Sequence, residues 1–177
     1  TAIRFSENDR YPRFISANVV DKRTRKPYFE PYATWYVSGL RICIIAFSDT
    51  NVVKLIREGS LNGADVLNYD DALNQLSVPV AREHADIVIA AGRIDRATIL
   101  EIARKHPYID MFLTNNQSGF ADAKGATTYS MVSGKPLFVG PDEGTKLGML
   151  SLREVGGMET RDFSTITLGD AFPPEKN

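Results

Sequence analysis

Five small polar residues stand in a row after an apolar run: Thr114, Asn115, Asn116, Gln117 and Ser118. At the end of a buried strand they would put many donors and acceptors in one spot. A stretch rich in Asn and Ser also makes turns of its own, so a polar site and a plain loop both stand. Arg93 follows a second apolar run, Asp86-Ile-Val-Ile-Ala-Ala91. Its fixed positive charge suits an anion, and it equally suits a structural pair with Asp49 or Asp95. Lys22, Arg23, Arg25 and Lys26 crowd into one loop, which reads as a solvated turn before it reads as a phosphate site. His84 and His106 each close a helical pattern, where a cation is mildly favoured, and both read as structural. No Gly-x-Ser-x-Gly elbow and no glycine-rich phosphate loop of the P-loop or dinucleotide type occurs. The glycines at Gly140, Gly144 and Gly148 precede a strand pattern and read as a turn.

The bulk composition narrows the chemistry further. The chain has 177 residues, 43% of them hydrophobic and 24% charged, enough for one domain with a real core. A net charge of -1 argues against a protein that coats nucleic acid. One cysteine, Cys43, rules out an intrachain disulfide and a cysteine-based zinc site. Two histidines nearly exclude a histidine-built metal centre within this chain. No apolar run approaches the ~20 residues of a transmembrane helix. The chain opens on Thr1, which fits a processed product or a fragment.

The elements that must position these residues follow from periodicity. Phe14 to Val20 reads as a short buried strand. Ala33 to Val37 and Arg41 to Phe47 read as a hairpin around Ser38-Gly39, with Cys43 as a small core residue. Ser48 to Ile56 reads as a short helix capped by Ser48-Asp49-Thr50. Asp70 to Glu83 has helical spacing, and Pro79 predicts a kink or a helix in two pieces. Asp86 to Ala91 is a strand, Asp95 to Lys105 an amphipathic helix, and Ile109 to Thr114 another strand. That alternation predicts α/β architecture with parallel neighbours. Beyond Gly119, four short strand patterns (127–132, 137–139, 147–154 and 163–168) predict a mixed or antiparallel portion. Residues 171–177 read as a C-terminal linker. In such sheets ligands gather past the carboxyl ends of the parallel strands, here Asn18, Ser48-Asp49, Gly92-Arg93 and the 114–118 run.

An ordered set of motifs resembles the 5′-nucleotidase family of calcineurin-like metallophosphoesterases, which includes UDP-sugar hydrolases. The motifs are Tyr11-Pro-Arg-Phe-Ile-Ser-Ala-Asn-Val-Val20, Ser38-Gly-Leu-Arg-Ile-Cys-Ile-Ile-Ala-Phe47, Ala85-Asp-Ile-Val-Ile-Ala90, Tyr108-Ile-Asp-Met-Phe-Leu113 and Lys135-Pro-Leu-Phe-Val-Gly140 through Leu152. They span nearly the whole chain. The resemblance implies the second half of an α/β/β/α sandwich with mixed sheets. Residues 1–177 would form a single lobe of a larger domain or protein.

The chemistry that the resemblance implies is altered here. Such enzymes activate water between two divalent metals that also clamp the phosphate. The Asp-x-His, Gly-Asp and Asn-His-Glu motifs that hold the metals are absent, as if the chain began just after them. Ser-His-Leu-Gly is expected where Gly92-Arg93-Ile94-Asp95 stands, and Gly-Gly-His-Ser-His where Thr114-Asn115-Asn116-Gln117-Ser118 stands. Arg93 and Asn116 thus occupy positions expected to bind metal, and Ser118 the variable last position. A guanidinium cannot ligate a metal, and an amide oxygen ligates transition metals weakly. The expectation is a degenerate site without catalytic residues or resident metal, with Arg93, Asn116 and Ser118 as candidate anion contacts. Divalent metals would return only if the remaining half of the domain or a partner subunit completed the centre, restoring a nucleotide hydrolase. The expected partners are that missing half and a phosphate-containing small molecule. The expected location, by resemblance, is periplasmic or extracellular.

Overall fold

The computed structural model describes residues 13–37, 39–51, 63–115, 128–140, 146–154 and 158–167. Ten strands and two helices fall within them. They are β1 (Val19–Asp21), β2 (Tyr32–Val37), β3 (Leu40–Phe47), β4 (Ala64–Val66), α1 (Tyr69–Arg82), β5 (Ile87–Gly92), α2 (Arg96–Lys105), β6 (Met111–Thr114), β7 (Thr128–Val132), β8 (Lys135–Val139), β9 (Lys146–Glu154) and β10 (Met158–Thr167).

Six strands form the central sheet in the order β2-β3-β5-β6-β8-β7. β3, β5, β6 and β8 run parallel, and β2 and β7 close the margins antiparallel. The expected α/β class with a mixed sheet is what the chain forms. β1 pairs with β4 and β9 with β10 in two further antiparallel pairs.

Alternation along each strand sorts the side chains onto two faces. Cys43, Ile45, Phe47, Val88, Ala90, Phe112, Leu137 and Val139 belong to the larger core, together with Leu73 and Leu76 of α1 and Ile99 and Ile102 of α2. The opposite face is equally apolar. Ile87, Ile89, Met111 and Phe138 are buried there, flanked by Leu40, Ile42, Ile44 and Leu113. At its margins Trp35, Val37, Tyr129 and Met131 stay 40–52% exposed.

Both helices begin on a side-chain cap. Asn68 accepts the Asp71 N–H at 2.8 Å, and Asp95 accepts the Thr98 N–H at 3.0 Å, each satisfying a donor that the first turn leaves unpaired. Pro79 does not divide α1. The buried stripe Tyr69, Ala72, Leu73, Leu76 and Val80 continues past it, so one lost hydrogen bond is outweighed by packing.

Other sequence expectations are corrected in detail. The 14–20 strand shrinks to β1 at its end, and Ile15 makes only an isolated bridge to Glu30. β4 has no counterpart in the sequence pattern, since three residues carry no periodicity. The expected helix from Ser48 to Ile56 falls mostly outside the described residues, as do the 171–177 linker, Asn116 and Ser118. Cys43 is fully buried, as a core residue should be.

Candidate functional site

The ends of the parallel strands are in step. Phe47 lies opposite Gly92, Gly92 opposite Thr114, and Thr114 opposite Val139. The residues that follow each of these, Ser48-Asp49, Arg93, Asn115 and Gly140, therefore emerge along one edge. This is where α/β sheets hold ligands.

Close packing fixes that edge. A Cβ on Gly92 would stand 2.7 Å from the Phe47 carbonyl oxygen, so only glycine lets β5 approach β3 there. Thr114 is buried and ties the next turn down from both sides. Its hydroxyl accepts from the Ile94 N–H at 3.2 Å and donates to the Ile94 carbonyl at 2.8 Å. Its own carbonyl accepts from the Gly140 N–H at 2.6 Å. Arg93 is thus held in the backbone on both sides.

The Arg93 side chain is free to turn outward. It is 65% exposed, and its Nε sits 3.7 Å from Asp49 Oδ2. At that distance the pair is an ion pair rather than a hydrogen bond. Asp95, the other sequence candidate, instead caps α2 through Thr98, and its carboxyl lies below the usual range, opposed by burial and held down by the Thr98 hydrogen bonds. Asp49 also turns its own loop by accepting from the Asn51 N–H at 2.8 Å.

Beside this pair runs a buried polar seam that the sequence did not single out as a unit. Asn18 is fully buried. Its amide donates to the Ser48 carbonyl at 2.8 Å, and its oxygen accepts from the Ser48 N–H at 2.9 Å, as a neighbouring strand would. Ser16 and Ser48 hydroxyls meet at 3.0 Å. The signal in the sequence was weak: a lone Asn inside a short apolar run. The seam holds Ser48-Asp49 in place and so sets where Asp49 meets Arg93.

The edge as described does not suit a pair of divalent ions. Among the described residues its donor set is one carboxylate, hydroxyls and an amide, and the Arg93 guanidinium beside them cannot deprotonate to ligate a metal. Among the described residues no group of three or more His, Cys, Asp or Glu comes together. Both histidines are elsewhere. His84 follows α1. His106 caps α2, is buried, and meets Asp70 Oδ1 through Nε2 at 2.7 Å. Arg25, from the cationic loop, ion-pairs with Asp65.

No family model matches the chain, and no curated protein matches it. Solved structures do. The sulfate thiohydrolase SoxB of Thermus thermophilus superposes with a TM-score of 0.69 over 88% of this chain and 28% of its own, at 17% identity. The calcineurin-like phosphoesterase YfkN of Bacillus subtilis gives 0.66 over 91% and 57%, at 18% identity. A 5′-nucleotidase precursor, also of Thermus thermophilus, gives 0.63 over 88% and 33%, at 18% identity. The chain has the metallophosphoesterase-like fold. It spans between 28% and 57% of the length of these structures.

Proposed function

We propose that this chain is a non-hydrolytic lobe of the nucleotidase fold that holds an oxyanion at the carboxyl edge of its sheet. One observation carries the reading: Arg93 projects from the end of β5, mostly exposed, with one weak carboxylate partner, Asp49, among the described residues. A guanidinium in that setting offers fixed donors to phosphate or a similar group. Asn115, next to the described end of β6, and the following Asn116 and Ser118 would add neutral hydrogen bonds. A guanidinium with a carboxylate, hydroxyls and amides beside it among the described residues supports the binding of an oxyanion.

A second observation favours an assembly role alongside. The sheet face opposite the helices is apolar; its centre (Ile87, Ile89, Met111 and Phe138) is buried, and Trp35, Val37, Tyr129 and Met131 stay exposed at its margins. Those exposed apolar margins suit further protein packed against them, either the rest of a longer chain or a partner subunit. The precursor label on one structural neighbour supports an extracytoplasmic setting. No helix among the described residues is long and apolar enough to cross a membrane.

The test is calorimetric titration with inorganic phosphate, alongside elemental analysis of native material. Binding that is lost in Arg93→Ala, with no stoichiometric manganese, zinc or iron, is the expected result. Two metals per chain together with phosphoester hydrolysis would overturn the proposal and restore the hydrolase reading.

A further inference from the structure

The two oxygens of one carboxylate do different work at the carboxyl edge. Asp49 Oδ1 accepts the Asn51 N–H at 2.8 Å and turns the loop. Oδ2 takes no hydrogen bond among the described residues and faces Arg93 Nε, 3.7 Å away. A direct bond between such charges closes to about 2.7–2.9 Å. The two groups therefore stand side by side, each with hydrogen-bonding capacity left over. The carboxylate is the more sheltered of the pair, at 29% exposure against 65% for the guanidinium.

That spacing is fixed from both sides. Asn18 bonds both backbone groups of Ser48, which sets the start of the Asp49 loop. Gly92 packs against the Phe47 carbonyl and sets the strand end that carries Arg93. Tyr69, buried at the start of α1, spans the two. Its hydroxyl accepts from the Thr50 N–H and donates to the Arg93 carbonyl, each at 3.4 Å. Its ring stands edge-on to Phe47, with centroids 5.4 Å apart. One side chain thus links the residue after Asp49 to the backbone of Arg93. A cationic fork and an anionic acceptor are held next to each other at the same edge.

We infer that Asp49 is a specificity residue: with Arg93 it selects an oxyanion that still carries a proton, hydrogen phosphate, over a proton-free oxyanion of the same charge and shape, such as sulfate. This rests on the oxyanion reading of the Arg93 edge and adds to it which oxyanion is taken. The Arg93 fork donates to oxygens of either anion. Asp49 Oδ2 accepts from the P–OH of hydrogen phosphate, a charge-assisted bond. Sulfate has no proton to offer, so the same carboxylate faces a bare anionic oxygen and repels it. Arg93 by itself has no means of telling the two dianions apart.

The experiment is calorimetric titration of the protein at pH 8 with three dianions: inorganic phosphate, sulfate and fluorophosphate. At that pH phosphate keeps one P–OH and the other two have none, while fluorophosphate retains the phosphorus centre. Wild type is expected to bind phosphate at least ~10-fold more tightly than either of the others, the worth of one charged hydrogen bond. Asp49→Asn is expected to bring all three to within ~3-fold, because an amide turns to accept from hydrogen phosphate or to donate to sulfate. Phosphate gains several-fold in that variant, as the guanidinium loses a competitor, and sulfate gains more. Asp49→Ser, whose hydroxyl also accepts and donates and can still take the Asn51 N–H, is expected to behave alike. Matched melting curves for the two variants and wild type keep misfolding apart from the result. Three anions bound equally by wild type and lost in Arg93→Ala would overturn this inference and leave the oxyanion reading standing. Selectivity that survives both Asp49 variants would overturn it as well. No binding of any of the three would overturn the inference and the oxyanion reading together.

Discussion

The guanidinium of Arg93 reaches across the ends of two adjacent parallel strands toward the carboxylate of Asp49, with Nε 3.7 Å from Oδ2. Asp49 is therefore an internal anion that competes for the cation a ligand would use. Asp49→Asn is expected to tighten phosphate binding several-fold, and Arg93→Ala to abolish it. Both effects should shrink as salt rises, because the pair is exposed. Neither change should move the melting temperature much, since an exposed pair is worth about 0–1 kcal/mol. Titration calorimetry at low and high ionic strength checks this, and a stronger ligand grip in Arg93→Ala would sink it.

Gly92 sets how closely β5 and β3 approach at that same edge. With the Phe47 oxygen 2.7 Å from an added Cβ, Gly92→Ala must push backbone against backbone. A loss of about 1–3 kcal/mol is expected, typical of forced overpacking. Urea unfolding of the variant measures it. Anion affinity should fall too, because Arg93 moves with the strand end.

The sheet was legible because its strands are short apolar runs closed by turn residues. The run from Arg41 to Phe47 and the Ser38-Gly39 hairpin both read directly, and so did Asp95 as a helix start. The edge residues were legible through topology alone: once the strands are parallel, whatever follows them shares an edge. What did not read was anything whose partner is distant in sequence. Asn18 acts on Ser48 from thirty positions away, and nothing local marks it. Pro79 read as a break because propensity is local, while the stripe of α1 that outweighs it is tertiary.

Asp110 sits half-buried at the start of β6, and burial pushes its carboxyl above the usual range despite the Val88 N–H it accepts at 2.8 Å and the nearby Lys135. A raised native pKa means that this residue costs stability once pH climbs above the unfolded value near 3.8. Asp110→Asn keeps an oxygen for Val88 and removes the buried charge. The variant should melt higher than wild type at pH 7, with the gap closing as pH falls below about 4. Paired thermal melts across that range test it, and a variant less stable at pH 7 would contradict it.

Asp70 should behave in the opposite sense. The His106 hydrogen bond, then Lys105, hold its carboxyl below the usual range. Its contribution is therefore present above the unfolded value near 3.8 and lost as pH drops through the native one. Asp70→Asn should flatten the acid limb of the stability curve and lower stability at neutral pH. An acid limb unchanged by this substitution would assign acid sensitivity to other carboxylates.

Asn18 offers the sharpest test of the seam beneath the site. It is fully buried and satisfies both backbone groups of Ser48 at once. Asn18→Ala leaves the Ser48 N–H and C=O without these partners in the interior, at a cost of about 2–4 kcal/mol. Asn18→Asp retains an acceptor for the Ser48 N–H. As a carboxylate it can no longer donate to the Ser48 and Leu67 carbonyls, and it buries a charge, so it should be worse at pH 7 and recover partly in acid. Chemical denaturation of both variants at pH 7 and at pH 5 checks this, because protonation removes the charge and restores an O–H donor together. Equal losses at both pH values in Asn18→Asp would contradict the expected recovery in acid.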